Sequence, residues 1–129
     1  MMQNYDMMIQ EKAERVFTVM EKRVSSEDVE RIRAAFELAK IAHADQKRKS
    51  GEPYIFHPIA VANIVAEELK LGANPVIAAF LHDVVEDTDY TIDDIQQQFG
   101  DDVAFLVRVV TKQEKEHYEM SKQMDNYKQ

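Results

Sequence analysis

Apolar residues recur at intervals of three and four along most of this chain, which places them on one face of a helix. Ile32, Phe36 and Ala39 lie on one such face. A few residues earlier, Ser25 is suited to cap the start of that helix. The run Val76 to Leu81 is apolar on almost every side, which predicts a buried helix. Since no stretch of useful length alternates like a β-strand, the sequence predicts an all-α fold, a compact bundle of roughly six to seven helices.

Glycine and proline separate the predicted helices. The chain has three of each, and all six lie between residues 51 and 100. The segment from Lys47 to Phe56 breaks the helical spacing and predicts a polar loop. Pro58 suits the first turn of the helix that follows, which is expected to end near Gly72. Thr91 and Asp94 resemble a capping box at the start of a later, short helix.

Length and composition are typical of a single globular domain. The chain has 129 residues, of which 45% are hydrophobic and 31% charged. No apolar run reaches the roughly 18 residues that cross a bilayer, and the start does not resemble a secretory signal, so no membrane partner is expected. The absence of cysteine excludes disulfides and thiolate metal sites and fits a cytoplasmic protein. We expect an N-terminal helical segment at 1–24, a core at 25–112 and a polar tail at 113–129.

The net charge restricts the choice of ligand. Sixteen basic and 24 acidic side chains give −8 with histidine neutral. A surface that binds nucleic acid usually carries a basic surplus, so direct nucleic-acid binding by this segment is not expected. A phosphorylated small molecule would need a local basic cluster or a divalent cation. Lys47, Arg48 and Lys49 form such a cluster, although three adjacent basic residues are more often a solvated turn.

Histidine and carboxylate residues suggest where a cation could bind. His82 and Asp83 end the most apolar helix, and Glu86 and Asp87 follow directly. Unpaired buried charges are costly, and a divalent cation would convert the repulsion between carboxylates into coordination. An exposed turn with solvated acids is the plain alternative, and the two interpretations are nearly balanced.

The other three histidines are less informative. His57, directly before Pro58, could join a mixed nitrogen and oxygen site suited to zinc, manganese or iron, although alone it is more often a cap or a packed side chain. His43 lies on the core face of its helix, which predicts a hydrogen-bonded, half-buried histidine. His117 lies in the polar tail and is given no role.

Two longer motifs resemble the hydrolase region of the RelA/SpoT homologue family. The first is residues 48–58 (Arg-Lys-Ser-Gly-Glu-Pro-Tyr-Ile-Phe-His-Pro), and the second is residues 80–88 (Phe-Leu-His-Asp-Val-Val-Glu-Asp-Thr). Phe99-Gly100 and Val110-Thr111-Lys112 continue the similarity in the same order, so that it covers roughly residues 26–112. The resemblance implies a helical bundle of the HD-domain type. It also implies metal-dependent removal of the 3′-pyrophosphate of (p)ppGpp, giving GDP or GTP and pyrophosphate.

The resemblance also assigns roles to residues of this chain. His57, His82 and Asp83 match the metal ligands of the family, whose metal is typically manganese (Mn²⁺). Glu86 and Asp87 match the acidic pair that positions or deprotonates the attacking water.

The remaining matched residues surround the nucleotide in the family. Arg48 matches the residue that packs against the guanine base, and Lys49, Ser50 and Tyr54 lie in the same motif. The implied partner is the alarmone ppGpp or pppGpp. The resemblance further implies a larger parent protein that can carry a GTP pyrophosphokinase domain and associate with the ribosome or with regulatory domains.

Two departures from the family pattern matter. The family's fourth metal ligand, an aspartate in a Leu-Ala-Asp-Arg-Leu-like segment, has no counterpart here, because Asp125 lacks that context. Arg108-Val109 stands where many members carry Asp-Gly. The sequence therefore resembles the front part of a larger hydrolase domain. We expect these 129 residues to bind metal weakly and to be poorly active or inactive on their own.

Two alternative functions remain open from the sequence. An HD phosphohydrolase for another nucleotide would not require the basic motif around Arg48. A non-catalytic regulatory module that binds the alarmone would not need to keep the metal ligands together with Glu86 and Asp87.

Overall fold

The structure is a computed structural model that describes residues 5–111 and Met120. Within these residues all regular elements are helices, apart from one isolated β-bridge, so the predicted all-α bundle of six to seven helices is confirmed. Of the sequence predictions, those on His117, on Asp125 and on the tail at 113–129 lie outside the described residues, Met120 excepted. The helices are α1 (Tyr5–Glu21), α2 (Ser26–Ala42), α3 (Phe56–Asn63), α4 (Ala73–Leu81), α5 (Val84–Asp87), α6 (Ile92–Phe99) and α7 (residues 101–111).

Helices α2 and α6 begin at the capping residues that the sequence predicts. The Ser25 side chain accepts a hydrogen bond from the Asp28 N–H at 3.1 Å and so caps α2. Thr91 and Asp94 form a reciprocal capping box at the start of α6. Gly100 ends α6 with φ of 97°, a backbone angle that glycine adopts without strain.

Helix α4 is the centre of the core. Its residues 76–81 are all buried, as predicted, and it packs against α2 and α3. Phe17 of α1, Phe36 of α2 and Phe80 of α4 meet with ring centroids 5.8 to 6.4 Å apart. Such aromatic pairs add roughly 0.5–1.5 kcal/mol each beyond the area they bury. This contact fixes three helices to one another, and Phe80 is the residue before the last of α4.

The helix predicted from Pro58 to Gly72 is less regular than its sequence indicates. α3 continues as a π-helical turn, Ile64–Glu68, and Lys70 then adopts the left-handed conformation with φ of 55°. The guanidinium of Arg23 donates to the carbonyls of Ala66 at 2.8 Å and Leu71 at 3.1 Å. These bonds satisfy one carbonyl in the last turn of the helix and one just beyond it, where intrahelical donors are lacking.

None of the helices among the described residues is both long enough and apolar enough to cross a bilayer.

Candidate active site

The candidate site forms where the start of α3 meets the end of α4. His57 lies in the first turn of α3, His82 terminates α4, and Asp83 begins the next short helix, α5. His82 and Asp83 are each 6% exposed, whereas His57 is half-buried. One ligand atom from each of the three lies within 4.8 Å of the others. The structure thus brings together the three residues that the sequence singled out as metal ligands.

The separations between these atoms match those of donors that share one ion. Asp83 Oδ2 lies 3.0 Å from His82 Nε2 and 3.5 Å from His57 Nε2. Two donors that are each about 2.0–2.2 Å from a divalent cation stand roughly 3.0–3.5 Å apart at the usual coordination angles. Both distances to Asp83 Oδ2 therefore agree with donors that share one cation.

The hydrogen bonding of His82 supports the same conclusion. Its Nδ1 lies 2.7 Å from the carbonyl oxygen of Ala79. Because a carbonyl can only accept, Nδ1 carries a proton, so Nε2 faces the Asp83 carboxylate either as a hydrogen-bond donor in the protonated ring or with its lone pair in the neutral ring. Two electron-rich atoms 3.0 Å apart repel each other unless a proton or a cation lies between them. Orientation of a ligand histidine by a backbone carbonyl is common in metal sites.

Tyr54 ties the site to the neighbouring loop, a contact that sequence reasoning missed. Its hydroxyl donates to Asp83 Oδ2 at 2.6 Å. Behind it, His43 packs against the Tyr54 ring at a centroid distance of 4.8 Å and lies 2.9 Å, by its Nδ1, from Gln46 Oε1. His43 is 2% exposed, so it is hydrogen-bonded as predicted but more buried than predicted. No sequence signal links Tyr54 to Asp83, because the contact depends on how α3 and α4 pack.

The environment shifts the pKa values of two groups in the site. Burial lowers the pKa of His57, and the charges of His82 and Arg48 lower it further, whereas the charge of Asp83 acts in the opposite direction. Burial alone would raise the pKa of Asp83, but hydrogen bonds from His82 and Tyr54 and the charges of the imidazoles outweigh it, so the pKa lies below its usual value. At neutral pH His57 is neutral and Asp83 is ionised, which are the states that metal ligands require.

The predicted polar loop is an ordered hairpin. Lys47 and Pro53 form the β-bridge, and the Arg48 N–H donates to the Glu52 carbonyl at 2.8 Å. Gly51, with φ of 92°, closes the turn by donating its N–H to the Arg48 carbonyl at 2.8 Å. We call residues 47–53 the basic hairpin.

An open cleft lies along the basic hairpin. The four predicted substrate-binding residues all line it, namely Arg48, Lys49, Ser50 and Tyr54. Since Tyr54 also contacts Asp83, the cleft and the candidate metal centre share a side chain.

The acidic pair on α5, Glu86 and Asp87, follows Asp83 closely in the sequence. In the structure, both acids are exposed to solvent, and their catalytic role remains a prediction. Gln46 donates from Nε2 to the Asp87 carbonyl at 2.8 Å, which fixes α5 against the base of the basic hairpin.

The fold is a helical bundle, and a histidine followed directly by an aspartate, His82 and Asp83, is buried at the end of its central helix. This is the arrangement of an HD domain. Residues 35–129 match the family model for the HD domain, and the chain belongs to this family.

The relatives most similar in sequence include proteins named for (p)ppGpp hydrolysis. The chain is 50% identical over 99 residues to the guanosine-3′,5′-bis(diphosphate) 3′-pyrophosphohydrolase of Aquifex aeolicus, covering 77% of this chain and 14% of the relative. It is 51% identical over 89 residues to the bifunctional (p)ppGpp synthase/hydrolase SpoT of Escherichia coli K12, covering 69% and 12%. The chain thus spans about an eighth of the length of these curated relatives. The predicted resemblance to the RelA/SpoT family is confirmed.

A solved structure gives the same result. The structure of a metazoan ortholog of SpoT, described as hydrolysing ppGpp, aligns with a TM-score of 0.61 at 36% sequence identity. The alignment covers 68% of this chain and 49% of the other.

Proposed function

We propose that this site releases the 3′-pyrophosphate of ppGpp or pppGpp to give GDP or GTP and pyrophosphate. One observation carries the proposal. His57, His82 and Asp83 converge beside a cleft lined by a basic hairpin, and the Tyr54 side chain belongs to both. Relatives that are half identical in sequence are named for this hydrolysis, which supports the same substrate.

His57, His82 and Asp83 would hold the metal ion, and we propose that the ion is Mn²⁺. A divalent cation supplies a Lewis acid that lowers the pKa of water and offsets charge on phosphoryl oxygens. The hydrogen bond that His82 donates to the Ala79 carbonyl would keep His82 oriented, and the one that Asp83 accepts from Tyr54 would do the same for Asp83.

The exposed acids of α5 would orient the attacking water and accept its proton. In the proposed reaction, Glu86 and Asp87 act in this way as the oxygen of the water bonds to the phosphorus attached to the ribose 3′-oxygen. The bond between that phosphorus and the 3′-oxygen breaks, and the 3′-oxygen takes up a proton.

The basic hairpin would hold the nucleotide. A guanidinium offers a planar face for stacking and a fork of N–H donors, so Arg48 is proposed to pack on the guanine base. Lys49 and Ser50, which line the same cleft, would contact the remainder of the nucleotide. This local positive charge would allow a polyanion to approach a chain whose net charge is −8.

Activity of these 129 residues by themselves is expected to be low. Between residues 5 and 111 the site has three protein donors, and filling the other coordination positions with water would weaken ion binding relative to a fuller set of protein ligands. We further propose a cytoplasmic location and, for the larger parent protein, association with the ribosome or with regulatory domains.

Single-turnover hydrolysis tests the proposal. Chain in excess over labelled ppGpp, with Mn²⁺, should release pyrophosphate and GDP slowly, and EDTA should stop the reaction. His82→Ala should abolish product, whereas Asp89→Asn, at an exposed acid just after α5, should leave the rate within about twofold.

The outcomes separate the alternatives. Metal-dependent binding of ppGpp without any product, both by these 129 residues and by a chain extended past Gln129, would favour the non-catalytic alarmone-binding module. Faster hydrolysis of an unrelated nucleotide would favour an HD phosphohydrolase of different specificity.

A further inference from the structure

A separate cavity lies between α1, the basic hairpin and α3. Its volume is about 430 Å³, which is within the range of small-molecule sites. Ala60 and Asn63 line this cavity, whereas His57 and Val61 line the groove that contains His82. Because a helix turns by roughly 100° per residue, these pairs lie on faces of α3 about a third of a turn apart. A ligand in the cavity would therefore leave the candidate metal ligands accessible.

The wall of the cavity is cationic. Lys12, Arg15 and Arg48 line it, with Glu52 as the acid among the described lining residues. Glu67 binds Arg15 through two hydrogen bonds of 2.9 and 3.1 Å, which partly neutralises that guanidinium. Lys12 and Arg48 form no ion pair with any residue between 5 and 111. In a chain of net charge −8, two unpaired cations on one concave surface create a local site for an anion.

The rest of the cavity is suited to a larger group than a bare anion. Met8, Phe56 and Ile59 contribute apolar surface. Asn63 adds an amide whose Oδ1 is buried and has no hydrogen-bond partner among the described residues. An apolar wall combined with a few polar groups and cations is the composition of a site for a nucleotide, whose base and sugar pack while its phosphates meet the charges.

We propose that this cavity binds the phosphate groups of a nucleotide, with Lys12 contacting them and Arg48 reaching them through the N–H edge of its guanidinium, whose flat face is left for the guanine base. Arg48 also lines the cleft of the basic hairpin, so the two sites share one guanidinium. The phosphates could come from the far end of a nucleotide already held in that cleft, or from a second nucleotide. With either source, a phosphate bound in the cavity would partly neutralise Arg48 and so reduce the positive charge that this residue presents to the cleft.

Titration of the metal-free chain with GDP tests the cavity. With EDTA present, GDP should bind saturably in calorimetry and shift the backbone amide resonances of Lys12 and Asn63. Lys12→Gln should weaken binding at least fivefold, and so should Ala60→Glu, which places a carboxylate on the cavity wall. Both positions are exposed, so the fold should persist. Lys22→Gln, an exposed lysine beyond the end of α1, should change the affinity less than twofold. Equal GDP affinity in the wild type, Lys12→Gln and Ala60→Glu would overturn the proposal.

Hydrolysis of ppGpp distinguishes the two sources, and this second arm rests on the proposed function. If the phosphates belong to the substrate, Lys12→Gln should raise the half-saturating ppGpp concentration. The factor should equal the factor by which the substitution weakens GDP binding. If they belong to a second nucleotide, that concentration should stay within twofold while GDP binding falls. A chain that never hydrolyses ppGpp would count against the proposed function alone, because the GDP titration needs neither metal nor turnover.

Discussion

Three polar groups meet at a single carboxylate oxygen in the candidate active site. Asp83 Oδ2 receives the Tyr54 hydroxyl at 2.6 Å and lies near a nitrogen of both His82 and His57. Of these contacts, only the Tyr54 hydrogen bond would persist unchanged with a cation bound, because both imidazoles would turn their lone pairs to the ion. Tyr54 is therefore a positioning residue for Asp83 in addition to its place in the cleft.

Removal of the Tyr54 hydroxyl should weaken metal binding. Tyr54→Phe keeps the ring that packs on His43 but leaves Asp83 without its fixed donor. Loss of such a supporting hydrogen bond typically costs about 10–100-fold in metal affinity. Calorimetric titration with Mn²⁺ should show a fall of at least about tenfold. The matched control Tyr90→Phe, at a half-buried tyrosine on the loop before α6, should bind Mn²⁺ as the wild type does. Unchanged affinity in Tyr54→Phe would show that Asp83 does not depend on this bond.

At the scale of elements, the helices were predictable and the junctions between them were not. Apolar spacing and capping residues such as Ser25 and Thr91 act over a few residues, so they can be recognised along the chain. The π-helical turn Ile64–Glu68 could not be predicted, because the carbonyl of Ala66 within it is bound by Arg23, which lies 43 positions earlier in the chain. The side-chain contacts around Asp83 likewise depend on packing between helices. The residues of the candidate site could thus be named from the sequence, but their mutual orientation could not.

The turn of the basic hairpin depends on Gly51. At φ of 92°, a Cβ would meet no atom within 4 Å, so Gly51→Ala would suffer backbone strain without a steric clash. The expected loss is about 1–2 kcal/mol in the free energy of unfolding. The cleft should also lose its shape, which lowers ppGpp affinity severalfold while Mn²⁺ affinity stays within about twofold.

Gly100→Ala is the matched control for the hairpin prediction. Gly100 has φ of 97° and open space at its Cβ position, but it lies at the end of α6 and does not line the cleft. It should lose a similar amount of stability in urea denaturation and retain ppGpp affinity. Equal losses of ppGpp affinity in the two variants would show that general destabilisation, and not the turn, controls nucleotide binding.

At the scale of the whole molecule, the candidate metal centre joins parts of the bundle that are distant in sequence. His57 belongs to α3, whereas His82 and Asp83 lie at the junction of α4 and α5. An ion held by all three would bind the folded chain and not the separated segments of the unfolded chain. Metal binding should therefore appear as thermal stability, which gives a test that does not depend on catalysis.

Mn²⁺ should raise the melting temperature, and above the Kd the rise should grow with the logarithm of the Mn²⁺ concentration. At 100 times the Kd, a ligand specific for the folded state adds about 2.7 kcal/mol. For a domain of this size that amounts to roughly 10 °C in Tm, and EDTA should reverse it. Asp83→Asn should lose the shift, because it removes the charge and retains the shape, whereas the exposed-acid control Asp89→Asn should keep it. An equal shift in the wild type and in Asp83→Asn, measured by differential scanning calorimetry, would place the ion elsewhere on this acidic chain. It would thereby remove the physical basis for metal-assisted hydrolysis at His57, His82 and Asp83.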